Sequence, residues 1–230
     1  MKEETDIAII RELAKKMAYF DIKLDEDFSF MVIHPYIDNP YVQSDGALCN
    51  ILENQKAYEN FLEDITSRID RITQYKEFVQ LITKPYRSAF LSYTKDYIDK
   101  FDLAYYLKYL WVNTAYVNID IHISREEYVG LFKSADCNSL MNERELNIYH
   151  NLPQTLTVYR GINSFDNHPI KGMSWTPDLE IATWFKNRFK QGKGAVYQAT
   201  VYKEDILAYF EKEKETVVDY RKLKDVIKIV

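Results

Sequence analysis

Cysteine, histidine, glycine and proline are all scarce in this chain of 230 residues, which holds two Cys, four His, six Gly and six Pro. Cys49 and Cys137 lie far apart and match no metal-binding or redox spacing. They read as small apolar residues in a reducing compartment, not as a disulfide framework. The histidines His34, His122, His150 and His168 show no metal-ligand spacing either, so no metal is expected. His168, in a loop between Arg160 and Ser174, is the one histidine with a place near candidate chemistry. No apolar run approaches the ~18 residues a membrane-spanning helix needs. The N-terminal stretch MKEETDIAIIRELAKK is charged in its first turn and amphipathic after it, unlike a secretory signal. The expectation is a cytoplasmic protein with no membrane partner. Internal repeats and low-complexity segments are absent. So is any Gly-x-Gly-x-x-Gly run, which disfavours a Rossmann-type dinucleotide site.

What the chain does have is a globular balance, with 47% hydrophobic and 28% charged residues. Nineteen Tyr and twelve Phe are unusual. A Tyr-rich interior must find partners for many hydroxyls or leave them at a wet boundary. The net charge of −5 hides an asymmetry: residues 1–150 hold 17 Lys and Arg against 25 Asp and Glu, whereas residues 151–230 hold 13 against 10. Lys186, Arg188, Lys190 and Lys193 crowd one short stretch. A basic segment on an acidic protein suits an anionic ligand, and a solvated helix face has the same composition.

Periodicity divides the chain near Leu152. Residues 1–150 read as a mainly helical part, packed on or beside residues 151–230. Ile7, Ile10, Leu13, Ala14 and Met17 recur at helical spacing. A second helix is expected from about Leu48 to Ile72, and a third from Tyr86 to Ile98 after the interruption at Pro85. Leu103 to Val117 is apolar on more than one side, as a buried central helix would be. The intervening FSFMVIHPYIDNPYVQSDG reads as a loop with a short strand. In residues 151–230 the pattern shortens. Four of the six glycines (Gly161, Gly172, Gly192, Gly194) fall together, and TLTVYR, GMSWT, AVYQATVY, ETVVDY and DVIKIV each have strand length and β-branched or aromatic content. One helix, from Pro177 to about Phe189, interrupts them. This arrangement predicts a mostly antiparallel α+β domain.

Three segments could carry chemistry. In TLTVYR, alternation puts Leu156, Val158 and Arg160 on one face. With the first two on the core, the Arg160 guanidinium needs an anionic partner, either a carboxylate of the protein or a ligand phosphate held in bidentate fashion. Gly161 next to it would let a ligand approach the backbone. In Ser174-Trp175-Thr176 the two hydroxyls share a face. Thr176 also fits as N-cap of the next helix, with Pro177 as first helical residue and Asp178 in the first turn. Ser174 has no such structural role. Along that helix Leu179, Ala182, Phe185 and Phe189 form an apolar stripe, and Trp184 with Phe185 could pack in the core or flank a planar ring. In EKEKETVVDY, Glu213 and Glu215 lie two apart, so in extended chain both carboxylates point the same way. Glu215 stands at the entrance of a β-branched run.

In this order, Tyr159-Arg160-Gly161, then Ser174-Trp175-Thr176, then Glu213-Lys214-Glu215, the segments resemble the Arg-Ser-Glu class of ADP-ribosyltransferases. The run GMSWTPDLEIATWFKNRF resembles that family's serine strand passing into its supporting helix. EDILAYFEKEKETVVDY resembles the loop and strand that carry the glutamates in small toxins of phage-defence or toxin–antitoxin loci. The resemblance covers roughly residues 145–230. It implies a helical N-terminal part followed by a mostly antiparallel split β-sandwich as catalytic core, with NAD as substrate. By matching position, Arg160 would hold the NAD phosphates and the Gly161 backbone would meet the nicotinamide. Ser174 would orient Glu215, and Glu215 would stabilise an oxocarbenium-like transition state. Glu213 would help activate the acceptor, and Thr176 and Phe185 would complete the NAD pocket. The Trp in the middle of Ser-x-Thr is a departure that alters the pocket wall. The acceptor stays open between a protein arginine and a nucleic-acid base, an antitoxin or inhibitor protein is a further implied partner, and NAD hydrolysis or an inactive binding module are the alternative functions.

Overall fold

The computed structural model describes residues 2–28, 30–44, 46–113, 120–162, 169–188 and 194–230. The chain divides into two compact units, the first closing with the segment Asp120–Ile123 and the second running over Ser124–Val230.

The first unit opens with α1 (Ile7–Ala18), capped by the Asp6 side chain, which accepts the Ile9 N–H at 3.1 Å. Its Ile10, Ala14 and Met17 are buried at the spacing expected of an inward helical face. Two antiparallel hairpins come next, β1 (Lys23–Leu24) with β2 (Val32–Ile33), and β3 (Tyr41–Ser44) with β4 (Ala47–Asn50). Here the structure departs from a helix beginning at Leu48. Gly46, at φ +80°, turns the chain so that 47–50 pair with 41–44. Asn54 then caps a later helix, α2 (Gln55–Arg71), by accepting the Ala57 N–H at 3.0 Å. After it come α3 (Phe78–Leu81), α4 (Arg87–Thr94) and α5 (Lys100–Asn113). Pro85 sits in a single 3-10 turn before α4, where its missing N–H costs nothing. α5 buries Leu103, Ala104, Tyr106, Leu107, Leu110 and Trp111, as a central helix should, and the part of the expected helix just beyond Asn113 lies outside the described residues.

This unit shows how its tyrosines are accommodated. Tyr75 stacks on Phe90 with ring centroids 5.9 Å apart and meets Tyr106 at 5.3 Å. Thr94 Oγ1 donates to the Phe90 carbonyl at 2.7 Å, so the buried Tyr75 hydroxyl, 2.7 Å from that oxygen, is the donor of the pair. Tyr36 donates to the Ala14 carbonyl at 2.6 Å and Tyr106 to that of Arg87 at 3.2 Å. Each ring is sunk in apolar surroundings while its hydroxyl closes a backbone carbonyl or a threonine.

The second unit starts with α6 (Arg125–Ser134), α7 (Cys137–Leu140) and α8 (Glu143–His150). By helical composition these segments group with the N-terminal part, residues 1–150. In the structure they belong with the strands, for a visible reason. The Tyr149 hydroxyl donates to the Ile206 carbonyl at 3.1 Å, the Met141 sulfur accepts the Tyr209 N–H at 3.2 Å, and Lys133 pairs with the fully buried Asp219 at 2.9 Å. The strands are β5 (Thr155–Ile162), β6 (Ser174–Trp175), β7 (Ala195–Tyr202), β8 (Ile206–Phe210), β9 (Glu215–Val218) and β10 (Lys224–Lys228), with α9 (Leu179–Asn187) between β6 and β7. They form two three-stranded antiparallel sheets, ordered β10-β7-β5 and β6-β9-β8. Val158, Ala199 and Val201 from the first sheet share one buried cluster with Trp175, Ile206 and Val218 from the second. The unit is α+β with small antiparallel sheets, as the alternation predicts. The sequence reading gives ILAYF no strand of its own, yet it is β8, with Phe210 paired to Glu215. Among the described residues, no helix is long and apolar enough to cross a membrane.

His34 generates a pH test in the first unit. It is 1% exposed, its Nδ1 accepts the Tyr36 N–H at 3.3 Å, and burial lowers its pKa to about 4, with the Ala18 backbone opposing more weakly. The folded state then binds a proton less readily than the unfolded chain, so stability is full above about pH 6.5 and falls as pH drops from there towards 4. Urea melts at pH 7 and 4.5 should show the native protein losing roughly 2–3 kcal/mol more than a His34→Gln variant. Equal losses in the two proteins would show that His34 carries no such penalty.

Candidate active site

Among the described residues, one backbone bridge ties β5 to the residue that follows β6. Tyr159 and Thr176 exchange both backbone hydrogen bonds, at 2.7 and 2.9 Å, in an isolated antiparallel bridge. This bridge joins the edges of the two sheets and sets Arg160, one residue on, beside β6. The Arg160 side chain lies on the face of β5 that buries Val158, as alternation requires. Its Nη1 donates to the Ser174 carbonyl at 2.7 Å. The guanidinium lies flat against Gly172, where an added Cβ would overlap Cζ and come within 2.6 Å of Nε. Gly172 also accepts the Trp175 indole N–H at 2.8 Å, which fixes the turn leading into β6. Arg160, Ser174 and Glu215 are each half-buried.

β6 is laddered in turn to β9, with Ser174 opposite Val217 and Trp175 opposite Thr216. One step further along that register sets Glu215 beside Thr176. Residues opposite each other across a ladder share a face, so Ser174, Thr176 and Glu215 lie on one face of the β6–β9 pair and Trp175 on the other. Arg160, Ser174 and Glu215 therefore stand on three neighbouring strands, β5, β6 and β9. The contact of Arg160 is with the main chain of Ser174.

Gly161 is spare of side chain for a reason different from the one its sequence suggests. A Cβ there would overlap the Ala182 carbonyl oxygen of α9 and lie 2.8 Å from the Lys186 nitrogen. Its vacant side is filled by helix, so close helix–strand packing, not a ligand, requires the glycine on that face. Its backbone is another matter. Val196, its partner on β7, directs its N–H and C=O to the residues that follow β10, its N–H donating to the Val230 carbonyl at 3.0 Å and its C=O accepting the Ile229 N–H at 2.9 Å. Gly161 and Val196 are thus a non-hydrogen-bonded pair, and the Gly161 N–H and C=O point away from β7, on the edge shared with Tyr159.

Two local expectations need correction. Thr176 is not the cap of α9. Asp178 is, its Oδ1 accepting the Glu180 and Ile181 N–H groups at 2.9 and 3.3 Å, while Thr176 Oγ1 takes the Asp178 N–H at 3.2 Å. The bridge to Tyr159 holds Thr176 in strand geometry, so the helix starts two residues later. Nor do Glu213 and Glu215 share an extended run. Glu213 closes a 3-10 turn, Glu211–Glu213, and is exposed, while Lys214 adopts the left-handed conformation at φ 45° before β9 begins. A lysine in that region costs on the order of 1 kcal/mol, and the reversal breaks the parity between the two glutamates.

Lys214 is one of the residues that sequence reasoning missed. Its Nζ lies 2.7 Å from Asp178 Oδ2, so the carboxylate that caps α9 also holds the turn before Glu215. The ammonium lowers the Asp178 pKa, and the Asp178 carboxylate raises that of Lys214. At the other end of the turn, Glu145 Oε1 of α8 accepts the Glu211 N–H at 3.3 Å and Arg144 pairs with the Glu211 carboxylate at 2.7 Å. Glu145 is 6% exposed and closes a capping box with Asn142. The signal for Asp178 is visible in TPDLE, which offers two possible caps; Lys214 has none beyond being the middle of Glu-x-Glu.

Along α9, Ala182 is buried but Leu179 is 42% exposed, so the apolar stripe is covered only in part, and Trp184, beside the stripe, is 55% exposed. Trp184 meets half-buried Phe185 edge-on at 5.0 Å, and the Arg188 guanidinium lies 5.4 Å over the indole. Trp184 is thus a surface residue and not core. Lys186 lies against Gly194, whose Cβ would come 2.7 Å from its Cγ. Lys190, Lys193, Phe189, Gly192 and His168 lie outside the described residues. Among the described residues, no group of three or more His, Cys, Asp or Glu side chains is arranged to hold a metal ion. Comparison with protein-family models, curated proteins and solved structures finds no match to this chain.

The glycine contacts give a stability test. Gly161→Ala should cost about 1–3 kcal/mol or more, since the neighbouring atoms are helix backbone that cannot swing aside. Gly130, inside α6 with nothing within 4 Å of an added Cβ, should instead gain roughly 0.5–1 kcal/mol as alanine. Urea denaturation of the two variants checks both signs, and a Gly161→Ala protein as stable as the native one would contradict the packing of α9 on β5.

Proposed function

We propose that this chain is an NAD-dependent mono-ADP-ribosyltransferase, a toxin or effector acting in the cytoplasm on a protein arginine or a nucleic-acid base. The observation that carries the reading is the adjacency of the strands β5, β6 and β9, which carry the half-buried Arg160, Ser174 and Glu215 in the order and strand context of the Arg-Ser-Glu transferases. Two antiparallel three-stranded sheets, joined at one bridge between the arginine and serine strands, suit the split β-sandwich of that class.

In this reading Arg160 presents its guanidinium to the pyrophosphate of NAD as a flat, forked donor. The outward N–H and C=O of Gly161 pair with the nicotinamide carboxamide, and the Phe185 ring and Thr176 close the pocket wall. Ser174 steadies the Glu215 carboxylate on their common face. Glu215 accepts a hydrogen bond from the nicotinamide ribose and opposes the positive charge that develops at C1′ as the bond to the nicotinamide nitrogen breaks. Nicotinamide leaves with the bonding electron pair. The acceptor then supplies a lone pair to C1′ and gives up its proton, a step that Glu213, exposed in the turn, is suited to assist.

The test is incubation with NAD labelled in its adenosine half, together with a cell extract. Native protein should release nicotinamide and leave label on protein or nucleic acid. Glu215→Gln should lower nicotinamide release at least ~100-fold with an unchanged thermal melt. Label recovered only as free ADP-ribose would replace transfer by hydrolysis at the same residues. Absence of any cleavage would remove the enzymatic reading and leave a binding module.

A further inference from the structure

The turn between β8 and β9 is held at both ends, and the hold at its second end is made by the residue immediately before Glu215. At the first end, Glu211 is tied to α8 through Glu145 and Arg144. At the second, the Lys214 ammonium meets Asp178 Oδ2 at 2.7 Å while Asp178 Oδ1 keeps capping α9. α9 itself is seated on Gly161, beside Arg160. A short mechanical path therefore runs from the arginine strand through α9 and Asp178 to the backbone of residue 214. Without a tether, a turn with an exposed glutamate and a left-handed lysine would be the loosest part of this region. The left-handed geometry at Lys214 is unfavourable for a lysine, where glycine would be at ease, and the residue's side chain is what gives it a use there.

We infer that Lys214 and Asp178 are positioning residues: their ion pair latches the β8–β9 turn to the N-terminus of α9 and so fixes the Glu215 carboxylate relative to Ser174 and Arg160. The inference rests on the transferase reading for its catalytic consequence, but the latch is a physical claim that can be read without NAD. One carboxylate serves two tasks, since one oxygen caps the helix and the other holds the lysine. Asp178→Asn separates these, because asparagine caps as well as aspartate but carries no charge. Lys214→Gly removes the tether and relieves the left-handed backbone together, whereas Lys214→Arg keeps a cation within reach of the carboxylate.

The experiment measures amide hydrogen exchange across residues 211–218, thermal melting, and the separate kcat and KM for NAD cleavage in Asp178→Asn, Lys214→Gly, Lys214→Arg and Glu215→Gln. Expected are at least fivefold faster exchange at 212–216 in Asp178→Asn and Lys214→Gly, melting within a degree or two of native, and exchange restored to near the native rate in Lys214→Arg. The same two variants should lose about tenfold in kcat with KM little changed, since a wandering carboxylate weakens the transition state more than ground-state binding. Native exchange rates in Asp178→Asn and Lys214→Gly would overturn the latch, whatever the activity. Faster exchange with unaltered kcat, where Glu215→Gln has lost activity, would overturn the positioning role while sparing the transferase reading. If the native protein cleaves no NAD, that reading alone falls, and the exchange rates still decide the latch.

Discussion

Two hydrogen bonds between Tyr159 and Thr176, at 2.7 and 2.9 Å, are what set the strand of Arg160 beside the strands of Ser174 and Glu215. Everything on one side of this bridge belongs to the sheet β10-β7-β5, and everything on the other to β6-β9-β8. Without the bridge, Arg160 and Ser174 would be set by side-chain packing alone. With it, the guanidinium reaches the Ser174 carbonyl, and the β6–β9 ladder carries the relation on to Glu215. By strand alternation Val158 and Arg160 lie on the face opposite Tyr159 and its bridge partner Thr176. Arg160 therefore reaches from the face carrying the Val158–Trp175 core, while Ser174 and Glu215 share the opposite face of their own pair.

The surroundings of the bridge use small residues and shared carboxylates to hold this geometry. Gly172 accepts the flat guanidinium, and Gly161 accepts the backbone of α9. Asp178 serves helix and turn together, and Glu145 serves its own capping box and the Glu211 amide. Further out, Asp219, buried after β9, is held between Lys133 at 2.9 Å and the Nε and Nη2 atoms of Arg221, each at 2.8 Å, and the Arg221 guanidinium keeps its carboxyl well below the usual carboxylate range. A buried carboxylate with two cations is costly to break by removing one partner, which gives β9 a second fixed end beyond the turn that delivers Glu215.

The strands were legible because alternation and β-branching are local: AVYQATVY is β7 residue for residue, and Leu156 and Val158 share the buried side of β5 as their parity predicts. The order of the Arg, Ser and Glu segments could be read in one dimension as well. What could not be read was pairing. Helices 125–150 resemble their N-terminal neighbours in composition, and tertiary contacts with the strand segments, such as those of Lys133, Met141 and Tyr149, assign them to the second unit. The helix start slipped from Thr176 to Asp178 because a tertiary bridge outweighed a local cap. Glu213 parted from Glu215 because a left-handed turn made by lysine, rather than glycine or asparagine, leaves no mark in the residue pattern. Gly161 could be recognised as a site of close approach, but not that the approaching atoms are those of Ala182.

The claim that most needs a direct test is that these three strands hold NAD. A structure determined with NAD present at saturating concentration would give the answer in one measurement. The pyrophosphate should lie on the Arg160 guanidinium, the nicotinamide carboxamide against the outward edge of Gly161, and the nicotinamide ribose within hydrogen-bond reach of Glu215. NAD seated elsewhere on the molecule, or no dinucleotide at this edge, would contradict that claim.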